Sequence, residues 1–398
     1  MTNAAQWELQ TVRTIAELDA LRSEWIGFLG DAPEACGLHD WTYFTALLHR
    51  EDSEPLVVVV RNNGVIKAIA PFIRCSGTVP LRLSLIKLGE ISLPRLRVVG
   101  EDFSIASDVD ASDVYRRVFE ELPRATSVAV VEAQEFAIDG RFCKCVDADG
   151  LRGTKWKRSP TADAQLCHTI RFPPSFNEYV GALKSRDRTN LRRRHKKLAA
   201  FFDGDLKLVR ISATEQIDSF LLALDHICAE TWQSQVYGRR TRSTERERRF
   251  FATLVELGWL RSYLLFGKEQ PLAFQVGIQY PGRYDFLETG YDARWSHLGP
   301  GTVLEYLVLE DLLSSDRPDV GDFGFGDAEY KRILANSTHF EFEHVYLRRR
   351  WSVKPKLVFG AQGMFDMAEK GIRKILTMTR SDRVVRRLLR RRGRGGET

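Results

Sequence analysis

The stretch DARWSHLGPGTVLE, residues 292–305, follows an aromatic-rich run, leads into an apolar one, and decides how the rest of the chain is read. Gly299 and Gly301 flank Pro300 immediately before a helix-like pattern of Val, Leu and Tyr. Two readings are open. One is a plain strand-to-helix turn. The other is a cradle for an anion, because the first turn of a helix exposes unpaired N–H groups and a partial positive charge. Glycine lets a ligand approach that backbone without a Cβ in the way.

Working outward, residues 260–266, 272–280 and 284–291 read as three strands. Their connections, GKEQP and PGR, are short enough for an antiparallel meander. A helix over 302–313 and a strand at 320–325 follow. Upstream lie two helices, IDSFLLALDHICAETWQSQ and ERERRFFATLVELG, the second stopped by Gly258. Before them, FNEYVGALKSRDRTNLRRRHKKLAAFF reads as a helix, a basic break and a second helix that Asn190 is placed to cap.

The first half reads as helices over 17–30 and 41–50, then two strands around Asn62-Asn63-Gly64, whose Asn-Gly suits a tight hairpin turn. A strand at 95–99, a helix at 114–122 and a strand at 128–131 follow, and 139–160 reads mainly as a connection with room for a short strand. Both halves thus share an order of helices, adjacent strands, loop, helix and strand, as in a duplicated unit. The expected units are 1–155, 156–350 and a basic helical tail, 351–398. The loop before the last helix of the first copy, GEDFSIASDVDASD, would repel a phosphate, whereas ARWSHLGPG carries Arg294 and His297. If one copy binds an anionic cofactor, electrostatics therefore select the second.

Composition bounds the alternatives. The chain has 398 residues, 43% hydrophobic and 28% charged, as in globular proteins of two or three domains. No apolar run has membrane-spanning length, and MTNAAQWELQ lacks signal-peptide regions, so a cytoplasmic location is expected. Cys143 and Cys145 lack the partners a zinc site needs, so no metal is expected. The net charge of +6 is concentrated at 184–197 and beyond 380. Neither cluster interleaves aromatic residues, which disfavours nucleic acid. Residues 365–389 mix apolar and basic positions. They suit either a docked helix or a contact with the anionic surface of the inner membrane. The oligomeric state is not indicated.

Several stretches carry a family resemblance: LKSRDRTNLRRRHKKL, ETWQSQVYG, GPGTVLEYLVLEDLL and DFGFGDAEYKRIL, with WTYFTALLHR and LVVVVRNNGVIKAIAPF in the first half. Over most of 16–350 the chain resembles acetyltransferases of cellulose and exopolysaccharide biosynthesis, within the GNAT superfamily. More distantly it is similar to the Fem-type peptidyl transferases. The resemblance implies an α/β (α+β) protein with two tandem GNAT-like domains, each a mixed, mostly antiparallel sheet flanked by helices, the first without cofactor. It implies an acyl-CoA-dependent N- or O-acyltransferase using acetyl-CoA or another acyl-CoA as co-substrate. The acceptor would be a sugar, polysaccharide precursor or cell-envelope metabolite.

On the same resemblance, Arg294, Leu298, Gly299, Pro300, Gly301 and Thr302 would hold the cofactor. One position departs: the superfamily prefers Gln or Arg three residues before the first loop glycine, and here stands Ser296. Arg294 or the basic segment near Arg192 would have to compensate. Tyr330 would protonate the departing thiolate, since a phenol near 10 suits a thiol of about 8.5. Asp322, Asp327, Lys331 and Arg192 would face the substrate, and Trp232 would wall the acceptor site. An acceptor amine or hydroxyl also needs a general base. Glu288 is the choice and His297 the competitor. Asp285 lies three residues before Glu288, which puts it on the opposite strand face unless a bulge intervenes. Two other classes stay open: a Fem-like transferase using aminoacyl-tRNA, and a non-catalytic scaffold that kept the fold.

Overall fold

The computed structural model describes residues 6–31, 37–83, 86–147, 151–159, 163–229 and 241–378. The first half runs β1 (Trp7–Val12), α1 (Ile15–Asp31), α2 (Trp41–Glu51), β2 (Glu54–Asn62), β3 (Val65–Cys75), β4 (Thr78–Leu83), β5 (Ile86–Ser92), β6 (Arg95–Val98), β7 (Ser104–Ile105), α3 (Ala111–Ala125), β8 (Val130–Ala137) and α4 (Arg141–Asp147). The second runs β9 (Trp156–Arg158), β10 (Gln165–Arg171), α5 (Phe176–Ala182), α6 (Ser185–Phe201), β11 (Leu206–Ile211), α7 (Ile217–Ala229), α8 (Glu245–Glu256), β12 (Ser262–Gly267), β13 (Gln270–Tyr280) and β14 (Arg283–Tyr291). It ends with α9 (Pro300–Ser314), β15 (Val320–Asp322), α10 (Glu329–Leu334), β16 (Ser337–Arg349) and α11 (Val353–Met378).

Local chemistry explains the starts and turns. Thr14 and Glu17 form a reciprocal box before α1: the Glu17 N–H donates to Thr14 Oγ1, and Glu17 Oε2 accepts the N–H groups of Arg13 and Thr14. Asp40 caps α2 by accepting from the Tyr43 N–H at 2.9 Å. Asn63 and Gly64 both take positive φ, 49° and 79°, as the two-residue β2–β3 hairpin requires. Asn190 lies inside α6, which begins at Ser185, so it does not cap a helix; its Oδ1 accepts from Arg193 instead. The segment expected mainly as a connection holds a short strand, β9, but also α4, which, like β1, β10, β11 and β16, was not anticipated.

Among the described residues, fourteen strands form one sheet, with path β1-β2-β3-β6-β8-β16-β10-β15-β14-β13-β12-β11; β7 joins β3 and β9 joins β16. The pairings are antiparallel except β6–β8 and β14–β15, which are parallel. Each parallel pair needs a crossover, supplied by α3 in one half and α9 in the other. The late strand β16 joins the halves, pairing β8 along one edge and β10 along the other.

The two sheet faces are packed differently. On one, a single core takes Leu18, Trp25, Phe44 and Val57 from the first half and Phe220, Phe250, Phe274 and Ile278 from the second. There α2 meets α8: Arg50 grips the buried Glu247 through two bonds of 2.6 and 2.9 Å and lies 4.4 Å over the Phe250 ring. On the opposite face each half keeps its own core, one beneath α3 and one beneath α9. The shared core fixes the halves against each other, so a cleft on that face is built by both.

Candidate functional site

The glycine turn begins with a short 3-10 turn over 293–298, which Asp292 caps by accepting from the Arg294 N–H. Gly299 then takes φ +67° and ψ +46°, a left-handed conformation that non-glycine residues reach only at a cost. Pro300 starts α9 as its first residue, where its missing N–H is no loss. Among the described residues no side chain caps this end, so the Gly301 and Thr302 N–H groups face outward.

Residue 261 holds the other end of α9. The Arg261 guanidinium is buried and donates to the carbonyls of Asp311, Ser315 and Asp316, the Asp311 carboxylate and the Tyr263 hydroxyl. It thereby satisfies carbonyls at the negative end of α9 and ties that end to β12. This anchor was not visible in the sequence reading.

Beside the turn is an open cleft of about 500 Å3 lined by Arg193, Arg194, Lys197, Ser296, His297, Leu298 and Gly299. Arg193 and Arg194 stand on one turn of α6 and Lys197 on the next, where i,i+3 and i,i+4 spacing brings it beside them. A Cβ on residue 299 would lie 3.1 Å from Arg194 Nη1, so that guanidinium stands over the turn. Positive charge in the cleft beside Ser296 comes from α6. It does not come from Arg294, whose guanidinium is turned back onto Asp292 in a forked pair with Oδ1 and Oδ2. Nor does it come from Arg192, which interacts with Tyr306. His297 is exposed, edge-on to Phe201, with its carbonyl 3.5 Å from Lys197 Nζ. It lines this basic wall.

From the turn, a gap runs into the sheet. β14 and β15 pair only at Arg283–Val320, Tyr284–Gly321 and Asp285–Asp322, and then part. Beyond that point β14 continues for roughly 20 Å to Tyr291, beside the glycine turn. A bulge shifts the β13 register between Val276 and Gly277, so that Val276 faces Glu288 while Gly277 faces Phe286, and Leu287 is the extra residue. Strict alternation therefore fails here. Asp285 accepts from the Tyr280 hydroxyl and Glu288 from the Thr241 N–H just ahead of α8, so both serve the shared-core face. The closed end of the gap carries the stacked pair Phe286–Phe323 (4.5 Å), with Tyr330 edge-on to Phe323 at 6.3 Å. Burial raises the Tyr330 hydroxyl far above its ordinary value, and the charge of Glu305 acts in the same sense.

Glu305, on α9, is buried, and neither oxygen of its carboxylate closes a hydrogen bond of ordinary geometry. Burial pushes it up to about 7; the Thr289 hydroxyl and the Lys331 ammonium partly oppose that. Lys331 is not free to hold a substrate anion: it is buried, and its Nζ donates to the Gly324 and Phe325 carbonyls at 2.9 and 3.0 Å, closing the loop after β15. Asp327 holds His168 and Arg332, which keep it well below the usual carboxylate range. Asp322 is buried, capping the Gly324 N–H at 2.8 Å and accepting from Arg283 at 2.8 Å. Arg283 also reaches Asp285 and, across from the first half, Glu101. The acidic first-copy loop thus has structural work: Glu101 pairs with Arg283, Asp102 with Arg141, Asp108 with Lys67, and Asp110 caps α3. Asp322, His339 and Glu341 bring candidate ligand atoms within 4.8 Å of one another, but the neighbouring guanidinium opposes a cation there. Trp232 lies outside the described residues.

Three comparisons bear on this geometry. Residues 185–332 match the model of the acetyltransferase (GNAT) domain, so the chain carries a domain of the acyltransferase class. No curated protein matches the chain. Among solved structures, the fold is similar to that of FemX (TM-score 0.56, 10% identity, covering 85% of this chain and 96% of that one). It is also similar to a tandem GNAT protein from the clavulanic acid biosynthesis pathway (TM-score 0.49, 13% identity, 87% and 100%). A third is the C-terminal domain of a putative lysylphosphatidylglycerol synthetase from Agrobacterium fabrum (TM-score 0.48, 10% identity, 88% and 96%). No helix among the described residues is long and apolar enough to cross a membrane.

Proposed function

We propose that the chain transfers an acyl group, an acetyl group in the first instance, from acyl-CoA directly to an amine or hydroxyl. One observation carries this reading: a glycine turn and a three-cation wall stand at the open end of a gap between two parted parallel strands. Backbone N–H groups and cations suit a pyrophosphate. The narrow, aromatic-lined gap suits an extended acyl arm.

When bound, acyl-CoA would supply the thioester. The Gly301 and Thr302 N–H groups, with Arg193, Arg194 and Lys197, would bind its phosphates across the bare Cα of Gly299, whose own N–H is taken by the Ser296 carbonyl. β14 presents unpaired backbone past the bulge to the arm and the thioester oxygen, a contact that needs no particular side chain. Tyr330, held protonated, donates a hydrogen bond to the sulfur as charge develops there. Glu288 leaves negative charge on the shared-core face of β14, which favours an amine, whereas the Asp285 charge is balanced by Arg283. The acceptor class, a sugar, polysaccharide precursor or cell-envelope metabolite, is proposed on sequence resemblance. We place the donor in the second half and none in the first, whose corresponding loop is acidic.

The FemX-like fold keeps a Fem-type aminoacyl-tRNA donor as the competing reading. Thiol release from acetyl-CoA, measured with amino-sugar and hydroxyl acceptors, decides between them. Acceptor-stimulated thiol release supports acyl-CoA as donor. Transfer from aminoacyl-tRNA with no thiol release from any acyl-CoA replaces it.

A further inference from the structure

His339 and Glu341 are two residues apart on β16 and therefore share one strand face. His339 Nε2 lies 2.6 Å from Glu341 Oε1. Glu341 is buried, and its other oxygen accepts from the Cys167 thiol at 3.3 Å. The imidazole keeps 29% of its side chain exposed, so a carboxylate is sealed behind a ring that solvent still reaches. Register places the pair: on β10, Cys167 faces His339 while Thr169 faces Asp322. Asp322 is in turn the last residue of β15 paired with β14. The dyad therefore stands beside the closed end of the gap, where the acyl end of a donor anchored at the glycine turn would arrive.

We propose that His339, oriented by Glu341, is the general base that takes the acceptor's proton; this rests on the acyl-transfer reading above. With Nε2 donating to Glu341, Nδ1 carries the lone pair. The acceptor nitrogen or oxygen bonds to the acyl carbon, and its proton passes to Nδ1. The C–S bond breaks, and sulfur departs with the electron pair and takes a proton from the Tyr330 hydroxyl, which solvent restores. His339 then gives its proton to solvent. A buried carboxylate holding one ring nitrogen so that the other can accept a proton is the orienter–base arrangement of acyl transfer.

The groups around the ring are Glu341 on β16, Asp322 on β15, Cys167 on β10 and Glu101 from the first half, with Arg283 bridging Glu101 and Asp322. The hydrogen bond that the ring donates to Glu341 raises the imidazole above its ordinary value against the opposing effect of burial, and Asp322 and Glu101 act in the same sense as that bond. Activity should therefore rise with pH along a limb set by this ring.

The test is thiol release from acetyl-CoA by the full chain, with glucosamine as acceptor probe and with water alone, across pH. His339→Gln should lower kcat about a hundredfold with both, leave the acetyl-CoA Kd within about twofold, and remove the acidic limb. Glu341→Gln should move that limb to lower pH, which a merely structural role would not do. Wild-type kcat with an unchanged limb in His339→Gln overturns the proposal. If the wild-type chain binds no acetyl-CoA, the donor reading itself has failed, and the titration shows that separately.

Discussion

Gly299 stands directly beneath Arg194: a Cβ at residue 299 would meet the Arg194 guanidinium at 3.1 Å. The turn and the basic helix are thus one unit, with the backbone kept bare where the cation leans over it. Gly299→Ala should cost roughly 1–2 kcal/mol in stability through its left-handed φ and also displace Arg194. Chemical denaturation with a parallel donor titration separates the two losses.

The basic wall predicts a salt-dependent donor site. Arg194→Ala and Lys197→Ala should each raise the Kd for CoA about tenfold, or about 1.4 kcal/mol, and flatten its dependence on ionic strength. Arg294→Ala should change it far less, because its guanidinium is committed to Asp292. Equal losses in all three would show that the wall is misassigned.

Arg261 predicts a coupling between the far end of α9 and the donor site. Arg261→Met removes the donor shared by the helix carbonyls and leaves the Asp311 carboxylate with the Tyr263 hydroxyl and the more distant Arg210, and should cost on the order of 3 kcal/mol. Denaturant titration measures that loss, and weaker CoA binding should accompany it although Arg261 lies at the opposite helix end from the turn.

Glu305 predicts a pH dependence of stability. Its folded-state value, raised from 4.5 to about 7, means its contribution is complete below about pH 4.5 and is lost as pH rises through about 7. Full ionisation in the buried site costs about 3 kcal/mol. Glu305→Gln should therefore flatten Tm between pH 5 and 8, and an unchanged slope would show that this carboxyl is not the titrating group.

The C-terminal helix predicts surface binding. Val353, Leu357, Met364 and Met367 on α11 are 67–69% exposed at helical spacing, beside Trp351 at 89%. Basic residues of the remaining sequence follow, outside the described residues. The full chain should sediment with vesicles containing phosphatidylglycerol and be released by salt, whereas Leu357→Asp should weaken this severalfold. No sedimentation with any vesicle would leave α11 without this role.

The turn at 299–301, the meander and the long helices were legible because glycine placement, alternation and capping are local. Glu288 and Asp285 were set on opposite faces because the bulge at Leu287 answers to Gly277, whose Cβ would fall 1.9 Å from the Tyr284 hydroxyl, a tertiary constraint. Lys331 read as a free cation because nothing local shows its two carbonyl partners. Arg261, Glu305, Arg283 and the His339–Glu341 pair were missed since each gains meaning only from strands distant in sequence. A same-face pair spaced by two in HFE, residues 339–341, was the signal available, and it required β16 to be recognised first.

The most direct test is isothermal titration of the full chain with acetyl-CoA at low ionic strength, beside Gly301→Val. A Cβ at 301 would already meet Tyr291 at 3.1 Å, and a branched one would block the exposed N–H groups. The account predicts saturable one-to-one binding by the wild-type chain, with Kd in the range of about 1 μM to 1 mM, weakened at least tenfold in the variant. No binding at millimolar acetyl-CoA, or equal binding by both proteins, would contradict it.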